Sequence, residues 1–118
     1  MIHACLKNLM CSDFDLREYR PENPSSFGFF VEMEIGIANE EGTDLFQLHV
    51  CTPQWLEDQV REGGPQWIES QLVLSSYNFD ELHEFLSRKI NSIQGNNWME
   101  IVSKLRLLAH WEFNGYRE

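Results

Sequence analysis

The chain has 118 residues, 42% apolar and 13% aromatic, a make-up that fits one globular domain over residues 1–118 and excludes a disordered chain. Nineteen Asp and Glu against nine Lys and Arg leave a net charge of −10, a field that repels nucleic-acid phosphates and anionic lipid and attracts basic proteins. Apolar runs such as Phe29–Val31 are too short to cross a bilayer, no secretory signal opens the chain, and three cysteines without a C-x-x-C spacing read as reduced thiols; the expected location is the cytoplasm.

In chain order, Ile2, Ala4 and Leu6 alternate with His3, Cys5 and Lys7, a short strand pattern. Residues 11–26 mix Asp13, Asp15, Glu18 and Glu22 with Phe14, Leu16 and Tyr19 before Pro21 and Pro24, and read as a loop or a short helix. From Phe29 to Ile37 the period is two, with Phe29, Val31, Met33, Ile35 and Ile37 on one face. Asn39-Glu40-Glu41-Gly42 signals a turn, and Leu45–Cys51 is the returning strand. A four-residue loop would place Ile35 opposite Phe46, Met33 opposite Leu48, Glu34 opposite Gln47 and Glu32 opposite His49, with Ile37 opposite Asp44 as the one mismatch.

Thr52 followed by Pro53 starts a helix, since Thr caps free amides and Pro lacks the N–H that would go unpaired there; Gly63-Gly64-Pro65 stops it. Gln71–Ser76 reads as a short strand. Asn78 with Glu81 and Asn97 with Glu100 are capping pairs that open two further helices. Their apolar stripes are Phe79, Leu82, Phe85, Leu86, Ile90, Ile93 and Trp98, Ile101, Val102, Leu105, Leu108, Ala109. Trp111–Tyr116 is a last turn or an edge strand. Trp55 and Trp98 open helices on apolar stripes and read as core, whereas Trp67 and Trp111 are less determined: either could be an exposed anchor, with burial the default for any tryptophan. These elements imply an α+β fold, an antiparallel sheet of about four strands with two to three helices packed on one face.

Signs of catalysis are thin. No nucleophile elbow, P-loop or dinucleotide motif is present, and four scattered histidines give no metal-ligand spacing, so no cofactor or metal is expected. His49 and Cys51 share a strand face, but their side chains stand roughly 6–7 Å apart, too far for direct proton transfer. Glu32 and Glu34 have a spacing that a carboxylate-pair glycosidase could use, yet nothing places a sugar platform beside them, and a solvated outer face accounts for both. The mixture of Phe30, Leu45 and Cys51 with Glu32, Glu34, Gln47 and His49 suits a protein interface, aromatics anchoring and carboxylates steering. The candidate partner-binding residues are therefore Glu32, Glu34, Glu40, Glu41, Asp44, Phe30 and His49, followed by Glu57, Asp58, Asp13 and Asp15.

The hairpin Phe29–Val50 running into Cys51-Thr52-Pro53-Gln54-Trp55-Leu56, then the strand leading to Tyr77, Trp98, and Trp111-Glu112-Phe113-Asn114-Gly115-Tyr116, resembles the immunity protein 8 family of bacterial polymorphic toxin systems. The resemblance covers nearly the whole chain and implies a non-enzyme that binds a cognate toxin domain and blocks it. Many such toxins are basic nucleases, for which carboxylates can stand in for nucleic-acid phosphates. Two other classes stay open: an adaptor or structural interaction module without a toxin partner, and a small hydrolase.

Overall fold

The computed structural model describes residues 1–114. Its elements are β1 (Ile2–Met10), β2 (Gly28–Ile37), β3 (Asp44–Cys51), α1 (Pro53–Gly63), β4 (Gln71–Val73), α2 (Phe79–Asn91), β5 (Gln94–Gly95), α3 (Trp98–Leu105) and β6 (His110–Trp111). The fold is α+β as expected, but the sheet is larger than four strands and it is mixed. Its order is β4-β3-β2-β1-β5, and β6 also pairs β3. β4 runs parallel to β3, because α1 and the loop after it carry the chain back to the end from which β3 set out. β6 and β4 share the free edge of β3, β6 at Phe46 and Gln47 and β4 at His49–Cys51.

Period-two alternation sets the core. Phe29, Val31, Met33 and Ile35 of β2 and Phe46, Leu48 and Val50 of β3 all point inward and are buried. Leu82, Leu86 and Ile90 of α2 and Ile101, Val102 and Leu105 of α3 cover that face in one apolar cluster. Phe85, expected on the α2 stripe, turns outward. Both helices start where their caps predict: Asn78 Oδ1 accepts from the Glu81 amide at 3.0 Å and Asn97 Oδ1 from the Glu100 amide at 2.9 Å. Thr52 caps α1, its buried Oγ1 accepting from both the Trp55 and the Phe27 amides at 3.3 Å.

The hairpin register differs from expectation. Ile35 pairs with Asp44, Met33 with Phe46 and Glu32 with Gln47, a shift of two residues that lengthens the loop. Each face keeps its composition because the shift equals the side-chain period. The loop is shaped by Asn39 and Gly42, at φ 69° and 97°, left-handed positions that Asn and Gly occupy at low cost. Loop 11–26 carries no helix or strand; its Phe14 and Tyr19 stack at 3.9 Å and wedge against Phe29. The tail is an edge strand only over His110–Trp111, with turn geometry after it; Gly115 and Tyr116 lie outside the described residues.

Candidate functional site

With one sheet face buried under α2 and α3, the opposite face is left to solvent and to Trp55. On it, strand pairing lays side chains out in rows: Met10, Glu32, Gln47 and His110 across four strands, then Asn8, Glu34 and Leu45, then Phe30, His49 and Gln71. Phe30 is 54% exposed, a large apolar ring left in water. Glu32 and Glu34 stand beside it with no cationic partner among the described residues. Glu112 reaches the same region from the chain after β6: its backbone amide donates to the Leu45 carbonyl at 3.0 Å, and its carboxylate accepts from the Leu45 amide at 2.9 Å. Glu32, Leu45, Gln47, His110 and Glu112 line a shallow hollow of about 330 Å³. Apolar anchor and unpaired carboxylates thus sit on one rigid surface, the arrangement a protein interface uses.

His49 is placed differently from expectation. It faces Phe30 and Gln71 rather than Glu32, a direct result of the two-residue register shift. Its ring lies 4.7 Å from Phe30 and 4.6 Å from Trp55, with the Gln71 amide 2.6 Å from Nδ1. Burial lowers its pKa, so the ring is neutral at pH 7 and Nδ1 can accept from the Gln71 amide. Cys51 is fully buried rather than part of the exposed face, and its Sγ takes the same Gln71 amide at 3.1 Å. Burial pushes the Cys51 thiol up, the reverse of what activates a nucleophile. Gly28 lets this corner close. A Cβ there would meet the Trp55 ring at 2.6 Å, so only glycine admits the indole against the strand.

The acidic residues divide among three places. Glu32 and Glu34 are on the open face; Glu40 and Glu41 are exposed at the hairpin tip, where Lys7 Nζ donates to the Glu40 carbonyl. Asp44 belongs to the inward-pointing set with Phe46, and its Oδ2 accepts from the indole N–H of both Trp98 and Trp111 at 3.0 Å. Of the second group, Glu57 pairs with Arg61 at 3.2 Å. Asp58, its carboxyl held below the usual range first by Gln54 and Ser26, serves the junction between the 11–26 loop and α1. Asp13 and Asp15 stand far along the chain in the loop after β1.

The residue pattern alone does not single out Glu112 and Gln71, because each sits on or beside a strand of two or three residues, too short to show a period. Trp67, open in the sequence to burial or to an exposed anchor, is 98% exposed in the loop before β4, next to Ile68, also largely exposed. Among the described residues no cluster of His, Cys, Asp and Glu could hold a metal, and no helix is long and apolar enough to cross a membrane. A family model described as Immunity protein 8 matches residues 4–116 of the chain. No curated protein and no solved structure matches it.

Proposed function

The chain belongs to the immunity protein 8 family, and from that premise we propose that it binds a protein toxin in the cytoplasm and neutralises it through the open face of the β2–β3 hairpin. The observation that carries the choice of surface is Phe30, exposed at the end of the outer row that continues through unpaired Glu32 and Glu34, on a face the helices leave bare. Phe30 anchors by losing its contact with water, which is worth about 1–2 kcal/mol for the half still exposed. The carboxylates act earlier. With a net charge of −10 behind them they raise the encounter rate with a basic domain above the unsteered ~10⁵–10⁶ M⁻¹s⁻¹. Glu40 and Glu41 extend the negative surface at the hairpin tip. Asp44 is left out of the contact set, since its carboxylate points inward to two indoles. Inhibition is steric, by a rigid acidic body seated over the toxin's working surface, with carboxylates where nucleic-acid phosphates would lie if that toxin is a nuclease.

The test uses the polypeptide encoded immediately upstream of this gene. Expressed alone it should arrest growth, and co-expression of the present chain should restore growth. In vitro, Glu32→Gln/Glu34→Gln should slow association several-fold at low salt and flatten its salt dependence, while Phe30→Ala should speed dissociation at least tenfold. A product that neither harms cells nor binds this chain removes the immunity reading and leaves the adaptor. Binding with unchanged kinetics in both variants moves the interface to another surface.

A further inference from the structure

The far side of β1 is closed at its start and open at its end. β5 pairs it only at Ile2 and His3. Beyond that, the Ala4 amide donates to the Ile93 carbonyl and the Leu6 amide to the Asn91 side chain, both at 2.9 Å. Lys7 is then an extra residue, since Leu6 lies opposite Ile35 and Asn8 opposite Glu34, and the bulge resets the phase of the strand from Asn8 onward. Ala4 and Leu6, whose amides point away from β2, face Ile37 and Ile35; Leu9, opposite Met33, therefore falls in the same outward-pointing set. No strand lies on that side of Leu9, and its amide and carbonyl there have no partner among the described residues.

A cleft of about 630 Å³ runs along this edge, from Lys7 to Cys11, bounded by the loop through Asp13 and Asp15 to Arg17 and by Phe79 and His83 of α2. Its two formal cations are already engaged, Lys7 outside the cleft and Arg17 at its wall. Lys7 Nζ donates to the Glu40 carbonyl, and the Arg17 guanidinium lies 4.4 Å over the Phe79 ring. Asp13 and Asp15 stay exposed at the rim, with no ion pair among the described residues.

Resting on the toxin-binding reading above, we propose that the Lys7–Cys11 edge takes an extended, basic segment of the toxin as one more strand of the sheet. Main-chain bonds at Leu9 would hold it, as in other strand additions. At about 3.3 Å per residue a segment of four or five residues fills the edge. Its alternate side chains face two ways: one set into the cleft against Phe79, the other onto the outer face beside Asn8 and Met10. Asn8 and Met10 pair with Glu34 and Glu32, so long basic side chains of the added strand would reach toward those carboxylates. Charge selects this occupant over a second copy of the chain, which would bring another −10 to the same edge.

The experiment removes one hydrogen atom from the edge. Cys11 permits assembly of the full chain by native ligation of a synthetic 1–10 thioester to residues 11–118, with N-methyl-Leu9 in the synthetic part. The methyl group points into the cleft and leaves the buried Leu9 side chain intact, so the unfolding midpoint should hold while affinity for the upstream-encoded toxin domain falls at least tenfold. In the unmodified chain, hydrogen exchange at the Leu9 amide should slow at least a hundredfold on complex formation; this second measurement decides the matter if the N-methyl chain folds poorly. Full binding by the N-methyl chain, or an unprotected Leu9 amide in the complex, overturns strand addition while leaving immunity intact. If the unmodified chain does not bind the domain at all, the underlying reading fails instead.

Discussion

Asp44 is the residue whose removal should cost the fold most relative to its size. Its carboxylate accepts indole N–H groups from Trp98 of α3 and Trp111 of β6, each at 3.0 Å, and so ties the loop end of the hairpin to the last helix and the last strand. Hydrogen bonds to a charged acceptor contribute about 1.5–3 kcal/mol each. Both indoles are partly exposed and water can replace some of that, so the lower figure applies and Asp44→Ala should lose about 3 kcal/mol. For a domain of this size that is a drop of roughly 10 °C or more in Tm. Asp44→Asn keeps an acceptor oxygen but not the charge, and should lose about half as much. Urea unfolding followed by tryptophan fluorescence reads both, since the reporters are the tethered indoles. A loss below about 0.5 kcal/mol for Asp44→Ala would refute the tether. If that stable variant instead bound toxin more slowly, Asp44 would return to the interaction surface on which its charge alone had placed it.

Gly28→Ala should destabilise the chain by about 1–3 kcal/mol and shift the emission of Trp55, because the new Cβ would stand 2.6 Å from the ring; an unchanged spectrum would mean the indole does not close on the strand. Thr52→Ala removes the acceptor of two amides and should cost about 1–2 kcal/mol by urea midpoint, with a cost near zero arguing against the cap. His49 has a folded pKa below its ordinary 6.5, so below that pH the unfolded chain binds the proton first. Stability should therefore fall as pH drops through 6.5 and level off only below the folded pKa, and His49→Gln should flatten that part of the profile; an equal slope in the variant would assign the effect to another group.

What the sequence made legible was whatever is decided locally. Caps at Thr52, Asn78 and Asn97 depend on a side chain and an amide two or three residues on, and all three are found where the residues call for them. The hairpin faces come from alternation. The register does not, because a slip of two residues keeps every apolar side chain inward, and only the loop conformation at Asn39 and Gly42 selects between the two pairings. The one mismatch in the expected register, a carboxylate on the inward set, was the trace of the Asp44 tether. A charge at such a position needs donors, and nothing local names tryptophans 54 and 67 residues away. β5 and β6 have two residues each and no period to read, and β4 joins the sheet in parallel through a path set by α1. The candidate face was therefore visible in its β2 half and hidden in its Gln71, His110 and Glu112 half.

An open strand edge invites pairing with another copy, and the chain opposes that with a bulge, a lysine at the bulge and its overall charge. The bulge acts at contact and ignores salt, whereas the lysine, like the net charge, acts through a screened field. The Debye length is about 8 Å at physiological ionic strength and about 3 Å at 1 M. Salt should then push two associations in opposite directions. Binding to a basic domain weakens as salt rises, since attraction is being screened, whereas any pairing of this chain with itself strengthens, since repulsion is. Sedimentation of the chain alone from about 20 mM to about 1 M salt should find monomer at the low end and self-association, where it occurs, only toward the high end. N-methyl-Leu9 should abolish that self-association, because it uses the same edge. A dimer that is present at low salt and dissociates as salt is added would show that opposite charges hold copies together, and the argument that net charge reserves the β1 edge for a basic partner would fall with it.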